Sequence, residues 1–336
     1  MKAMVLSGVV SLDDTNSPLM LVEQPTPVPG DNELLLRVTA CGVCHTEIDE
    51  IEGRTAPPRF PIILGHEVVG RVVSTGNAVS RFQEGDRIGV GWIHSSCGGD
   101  HENLSPAFRA TGRDVNGGYA EYMTVPQQYA YSIPDAFSDA QAAPLLCAGA
   151  IGYRALRLTG LKNGQRLGLT GFGGSAHLVL QLVRYRFPKT EIYVFARNPS
   201  ERIFAMELGA AWAGDTTERA PQHLDAIIDT TPAWTPVVEA LANLRPEGRL
   251  IINAIRKTET DKDALLTLSY ENHLWQEKEL KTVANITARD IREFLPLAAS
   301  ASLRPTVTTY PLEEANKALG DLRRGSVKGA KVLLVA

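Results

Sequence analysis

Cysteine is scarce in this sequence. Cys41, Cys44, Cys97 and Cys147 are the only 4 in 336 residues, too few and too scattered to staple a small secreted scaffold, so a reducing cytoplasm is the expected compartment. Long apolar runs are missing too. No stretch approaches the ~18 residues that mark a membrane-spanning helix. The opening MKAMVLSGVVSLDD has one lysine and a short apolar piece before acids interrupt it, so no export signal is expected. Nor is there a long basic run. Thirty-four Lys and Arg against 38 Asp and Glu leave a net charge of −4, without the cationic stripe that neutralises phosphates along a nucleic acid. Nucleic acid and membrane are therefore not expected partners.

What is present is enough apolar material for a large core: 44% of the 336 residues are hydrophobic, and a chain this long favours about two domains at ~100–200 residues each. Two textures divide it. Up to about residue 150, short apolar runs such as ELLLRV, EVVGRVVS and DRIGVGW alternate with Gly, Pro, Asn and Asp, the pattern of irregular antiparallel sheet. Beyond that point apolar β-runs (RLGLTG, EIYVFAR, DAIIDTT, RLIINAI) alternate with helical stretches (AHLVLQLVRYR, SERIFAMELGA, TPVVEALANL), which predicts parallel βαβ units. The tail, with IREFLPLAAS, TTYPLEEANKALGDLRRG and AKVLLVA, reads as two amphipathic helices and a last strand.

The sharpest local signal is RLGLTGFGGSAHLVLQLV. An apolar strand runs into Gly171-Phe172-Gly173-Gly174-Ser175-Ala176 and then into a helix, with Gly171 free for a tight turn and Gly173 letting the backbone approach a pyrophosphate at the helix N-terminus. Ala176 stands where the third glycine is usual. An ordinary Gly-rich turn would look similar in isolation, but here strand, turn, helix and further β/α alternation agree on a dinucleotide site. The next strand ends in Ala196 and Arg197 rather than in the acid that binds a ribose 2′-hydroxyl. Arg197, with Arg202 a turn further on, can pair with a 2′-phosphate through forked N–H donors, so NADP(H) is expected in preference to NAD(H). Solvated surface arginines are the alternative.

The stretch ACGVCHTEID poses a different question, because its CxxC pair could serve a metal, a redox couple or the core. It does not open the helix of a thioredoxin-like unit, and no second CxxC completes a four-thiolate zinc site. Other ligand types occur elsewhere: GHEVVG supplies His66 and Glu67, and APLLCAGAIGYRAL supplies Cys147.

Together these segments resemble the zinc-dependent medium-chain alcohol dehydrogenases. GVCHTE, GHEVVG, GDRIGVGW, GGYAEY, APLLCAGAIGYRAL, the Gly-rich turn, ELGA and a terminal G-x-V-x-G-x-x-V-L fall in family order along the whole chain. The resemblance implies an α/β protein with a GroES-like β-barrel catalytic domain from residues 1–148 and 285–336. A Rossmann doubly wound parallel sheet over 149–284 would bind the dinucleotide. It implies one catalytic zinc per chain on Cys44, His66 and Cys147, with water or substrate oxygen completing a tetrahedron, and leaves Cys41 as a small buried hydrophobe. Thr46 matches the hydroxyl that takes the substrate proton, and His45 a position beside the pyrophosphate or in the proton relay. Glu47 matches the carboxylate that fixes the tautomer of His66, and Glu67 the carboxylate beneath the metal. Trp92 matches an aromatic wall of the pocket. The resemblance implies a small-molecule alcohol or aldehyde substrate, and since relatives are dimers or tetramers, a homodimer through the edges of the Rossmann sheets is expected.

Departures from the family pattern carry expectations of their own. Relatives with a second, structural zinc use four closely spaced cysteines, whereas SSCGGDHENLSP retains Cys97 alone and has Ser105 at the last ligand position; with one soft ligand, no structural zinc is expected. Asp49 replaces the usual relay histidine, which makes His45 the preferred exit for the proton and Asp49 the lesser one. His94, His177, His223 and His273 lack ligand spacing. A zinc-free quinone or enoyl reductase on the same fold would have no use for the ligand triad, and a dinucleotide-binding regulatory protein without turnover would have none for Thr46.

Overall fold

A computed structural model describes residues 1–325 and 329–335, so Val327 of the terminal motif lies outside the described residues. The chain forms two compact units, one of residues 1–150 and 286–336 and the other of residues 151–285.

The first unit is built around strand Glu33–Val43, whose residues alternate toward the core until the last four are all buried. Val68–Thr75 pairs with it antiparallel along one side, and Tyr122–Pro126 and Ala330–Leu334 also pair with it, with Cys41 opposite both Val68 and Leu333. Arg87–Val90 and Ala130–Ser132 extend the sheet at one end and Val307–Pro311 at the other. A smaller sheet joins Leu19–Glu23, Lys2–Leu6 and Ile62–Ile63, and a two-stranded ladder joins Ile93–Ser95 to Arg109–Ala110. The stretch TTYPLEEANKALGDLRRG, read above as one helix, contains the strand Val307–Pro311 before the helix Ala315–Arg324. β-branched Thr308 and Thr309 favour the strand, and Pro311, which can neither donate to a helix interior nor follow a helical residue comfortably, divides the segment.

The second unit is a six-stranded, wholly parallel sheet. Its spatial order is Trp212–Gly214, Glu191–Phe195, Arg166–Thr170, Leu224–Asp229, Leu244–Ile252, Glu279–Thr282. The first strand in sequence therefore lies third, and the direction of winding reverses beside it, which is where a doubly wound sheet binds its ligand. Tyr193, Phe195, Leu224, Ile227 and Leu250 form a core layer with Val237 and Leu241 of the helix Thr235–Asn243. Two edge strands escaped the sequence reading for opposite reasons: Trp212–Gly214 has only three residues, and every residue of Glu279–Thr282 is exposed, so no apolar alternation marks it.

Candidate functional site

In the first unit, the central strand ends at Val43, and Cys44, still extended, caps the seven-residue helix His45–Ile51. That break separates the two cysteines: Cys41 is a wholly buried strand residue, whereas Cys44 stands where the chain turns. Glu47 fixes the turn by accepting the Cys44 backbone N–H at 2.8 Å with Oε2. Its other oxygen, Oε1, lies 2.6 Å from His66 Nδ1. Glu67 crosses close above the strand, where a Cβ on Gly42 would come within 1.8 Å of its carboxylate; only glycine admits it.

One ligand atom from each of Cys44, His66, Glu67 and Cys147 lies within 4.8 Å of the others. His66 Nδ1 is 2.6 Å from Glu47 Oε1, neither buried ring nitrogen makes a well-formed hydrogen bond within the chain, and with Nδ1 turned to Glu47 the lone pair of Nε2 is left for a group from outside. The Cys147 thiol and then His66 hold the Cys44 thiol well below its ordinary range, so the pair carries a thiolate, the form that binds metal. Burial opposes a charge on His66, yet Glu47 and Cys44 together raise it well above an ordinary imidazole. Burial and the nearby Cys44 push the Glu67 carboxyl up. Two soft sulfurs, one imidazole oriented by a carboxylate, and a fourth oxygen donor fit a divalent zinc-type ion.

Around this cluster, Thr46 is buried with its hydroxyl 3.6 Å from Cys44 Sγ, and His45 is exposed. Asp49 is fully buried and accepts Arg54 Nε at 2.6 Å. Trp92 stands 6.0 Å from His66 between ring centroids, and Phe108 stands 5.9 Å from Trp92. Phe108 is an aromatic neighbour that the sequence pattern did not single out. Cys97 is exposed, and among the described residues no metal-ligating group other than that of Cys44 is found.

In the second unit, Gly171 ends the first parallel strand at φ +74, where a Cβ would meet Thr230 and Thr231 at 3.0 Å. Around Gly173 no atom lies within 4 Å of a would-be Cβ, leaving its backbone open to approach. Gly174 and Ser175 complete the turn and the helix begins at Ala176, with His177 Nδ1 3.0 Å from the Gly173 carbonyl oxygen. At the end of the adjacent strand, Arg202 is committed to Asp215 at 2.9 Å and to the Ala196 carbonyl at 3.0 Å. Arg197 is exposed. The two arginines thus differ: one closes the strand end, and the other faces solvent.

Comparison with known proteins agrees with this layout. Residues 30–135 match the family described as alcohol dehydrogenase GroES-like domain, and residues 210–334 match zinc-binding dehydrogenase. A relative from Mycobacterium tuberculosis named "Probable alcohol dehydrogenase AdhA" is 43% identical over 329 residues, covering 95% of this chain and 93% of its own. Among solved structures, a cinnamyl alcohol dehydrogenase of Sorghum bicolor is similar at TM-score 0.82 and 25% identity, over 99% of this chain and 97% of its own. An alcohol dehydrogenase of the archaeon Aeropyrum pernix shares the fold at TM-score 0.85 and 23% identity, over 99% and 100%.

Proposed function

This chain belongs to the medium-chain alcohol dehydrogenase family, and on that premise we propose that it interconverts an alcohol and an aldehyde or ketone by hydride transfer with NADP(H), using one zinc per chain. The observation that carries the metal reading is the buried, unpartnered His66 Nε2 among the sulfurs of Cys44 and Cys147. These three residues would hold the ion, Glu47 fixes the ring of His66, and Glu67 lies beside the set. When bound, zinc supplies a Lewis acid that draws charge from the substrate oxygen, and the nicotinamide supplies the hydride acceptor or donor.

The protein's own residues manage position and proton. Thr46 Oγ1, buried beside Cys44, accepts the alcohol proton, and the exposed imidazole of His45 passes it to water. Asp49 has the lesser part, because its carboxylate is already engaged by Arg54. Trp92 and Phe108 give the pocket an apolar wall that orders the substrate's carbon chain. The backbone of Gly171 to Ala176 would receive the pyrophosphate, and the exposed Arg197 would pair with the 2′-phosphate. The working form is a cytoplasmic homodimer. Its edge strand Glu279–Thr282 is exposed along its length, with Trp275 56% and Leu280 48% exposed, and an open strand edge flanked by apolar side chains pairs with a second copy.

Metal analysis of two cysteine variants tests the core of this reading. Cys44→Ser removes a ligand and should lose most of the zinc and turnover, whereas Cys41→Ser, altering a strand residue, should keep zinc near one per chain. Equal zinc loss in both variants would return the pair to a CxxC site and remove the basis for the mechanism.

A further inference from the structure

A cavity of about 330 Å³ opens in the first unit, and its lining includes no residue given a role above. That volume lies at the lower end of the range for small-molecule sites. Arg59, just before the strand Ile62–Ile63, and Arg109, in the strand Arg109–Ala110, both border it and are exposed. Neither meets a carboxylate among the described residues; Arg109 only brings Nη2 to 3.5 Å from the Asp114 carbonyl oxygen. His94 lines the same cavity and is 9% exposed, next to Arg109 because the ladder pairs Ser95 with Arg109. Its one hydrogen bond among the described residues joins Nδ1 to Ser95 Oγ at 3.3 Å, so Nε2 is left without a partner. Asn116, also in the lining, accepts the Ile63 N–H at 3.2 Å with Oδ1, which leaves its NH₂ group to donate.

One solvated arginine would carry no message. Here two unpaired guanidinium groups, an amide NH₂ and a buried imidazole N–H border one space, and all of them are donors. When Ser95 donates to Nδ1 of His94, the ring proton sits on Nε2; burial holds this imidazole near a pKa of about 4, so it contributes a neutral N–H. Glu33 is the only acid in the lining, and its Oε2 accepts the Gly30 N–H at 2.9 Å. The balance is two positive charges against one negative. Pro25, Ile63 and Val115 add apolar wall, which suits a carbon body more than a bare inorganic ion. We propose that this cavity binds a small organic dianion, a phosphate monoester or a dicarboxylate on a short carbon chain, through residues that neither the metal site nor the dinucleotide turn uses. The forked N–H donors of arginine match both kinds of oxyanion. This site goes beyond the dehydrogenase reading and does not depend on it.

Isothermal titration calorimetry on the full zinc-loaded chain tests it, with glycerol 3-phosphate and succinate as the two dianions and glycerol and butyrate as their less charged counterparts. At least one dianion should bind saturably at one site per chain, about tenfold or more tighter than its counterpart; which of the two does so tells phosphate from carboxylate. Saturating NADP⁺ should leave that binding in place. Arg59→Met and Arg109→Met, which keep the apolar stem and drop the charged fork, should each weaken it by about tenfold or more, and His94→Leu should weaken it as well. Alcohol turnover, zinc content and urea midpoint of the arginine variants should stay at wild-type values, which separates a lost site from a damaged fold. Arg109→Lys, keeping the charge, should bind more tightly than Arg109→Met and stands in if the methionine variant does not fold. Absence of saturable binding by both dianions, equal affinity in wild type and both arginine variants, or binding that disappears when NADP⁺ is added would overturn the assignment, and each leaves the dehydrogenase reading intact.

Discussion

Glu102 should be the anchor of the lobe in which many relatives bind a second metal. It lies in the turn Glu102–Leu104 and is only 3% exposed. Its Oε1 accepts the backbone N–H of Ala288 at 2.5 Å, and its Oε2 accepts the Tyr129 hydroxyl at 2.9 Å. Ala288 opens the helix Ala288–Ser300, so Glu102 satisfies one of the helix's orphan donors from a distant part of the chain. Burial, and then this hydrogen bond, push the Tyr129 phenol up to about 12, which keeps its proton available to donate. In Glu102→Ala two charge-assisted hydrogen bonds disappear, each worth ~1.5–3 kcal/mol, and two buried donors lose their acceptor. Water entering the space recovers part, leaving an expected loss of about 3–4 kcal/mol. The exposed pair Arg289–Asp100, at 3.3 Å, cannot compensate, since such pairs are worth ~0–1 kcal/mol. Urea unfolding followed through Trp92, the only tryptophan of the first unit, reads this locally, because Trp92 packs on Phe108 beside the lobe. A loss below about 1 kcal/mol, or one that appears only after chelation, would mean that something other than Glu102 holds the lobe.

Two further outcomes follow from single side chains. Arg197→Ala should reduce kcat/KM for NADPH by about tenfold or more while changing NADH little, since only the former carries the 2′-phosphate and a charge-assisted hydrogen bond is worth ~1.5–3 kcal/mol; equal losses with both cofactors would show that the arginine reads nothing. His94, held by burial near a pKa of about 4, stays neutral in the folded protein while the unfolded chain protonates near ~6.5. Stability should therefore fall as pH drops from about 6.5 to 4, by up to about 3 kcal/mol relative to His94→Gln. Urea midpoints at pH 7 and pH 5 measure the difference, and a gap between the two proteins that does not widen on acidification would refute the burial argument.

The parallel sheet was readable wherever a strand is buried on both faces, because strands such as Leu224–Asp229 and Arg166–Thr170 then carry unbroken apolar stretches, Ala226-Ile227-Ile228 and Leu167-Gly168-Leu169. Its edges were not, since Glu279–Thr282 is exposed throughout and nothing in its composition distinguishes it from a loop. The glycine turn was legible because backbone conformation itself demands the residue: at φ +74 a side chain on Gly171 would be strained. Arg197 and Arg202 were indistinguishable in sequence. What separates them is Asp215, at the end of the neighbouring strand Trp212–Gly214, and strand adjacency is a property of the sheet.

The helix after Cys44 shows the same boundary at finer scale. HTEIDEI offers Glu47, Asp49 and Glu50 as three similar acids within four positions, and resemblance alone gave roles to the first two. Partner geometry reorders them. Glu47 reaches two groups, and Asp49, standing where a relay histidine is usual, is drawn to Arg54 five residues on. A carboxylate so engaged must give up an ion pair to change its proton, whereas Glu50 has none to give up. Helical spacing brings both Asp49 and Glu50, three and four residues on, to the Thr46 side of the helix, so spacing does not separate them. What spacing cannot supply is the absence of partners around the Glu50 carboxyl, for that depends on Cys44, His66 and Arg113, brought to this helix from three separate segments of the chain.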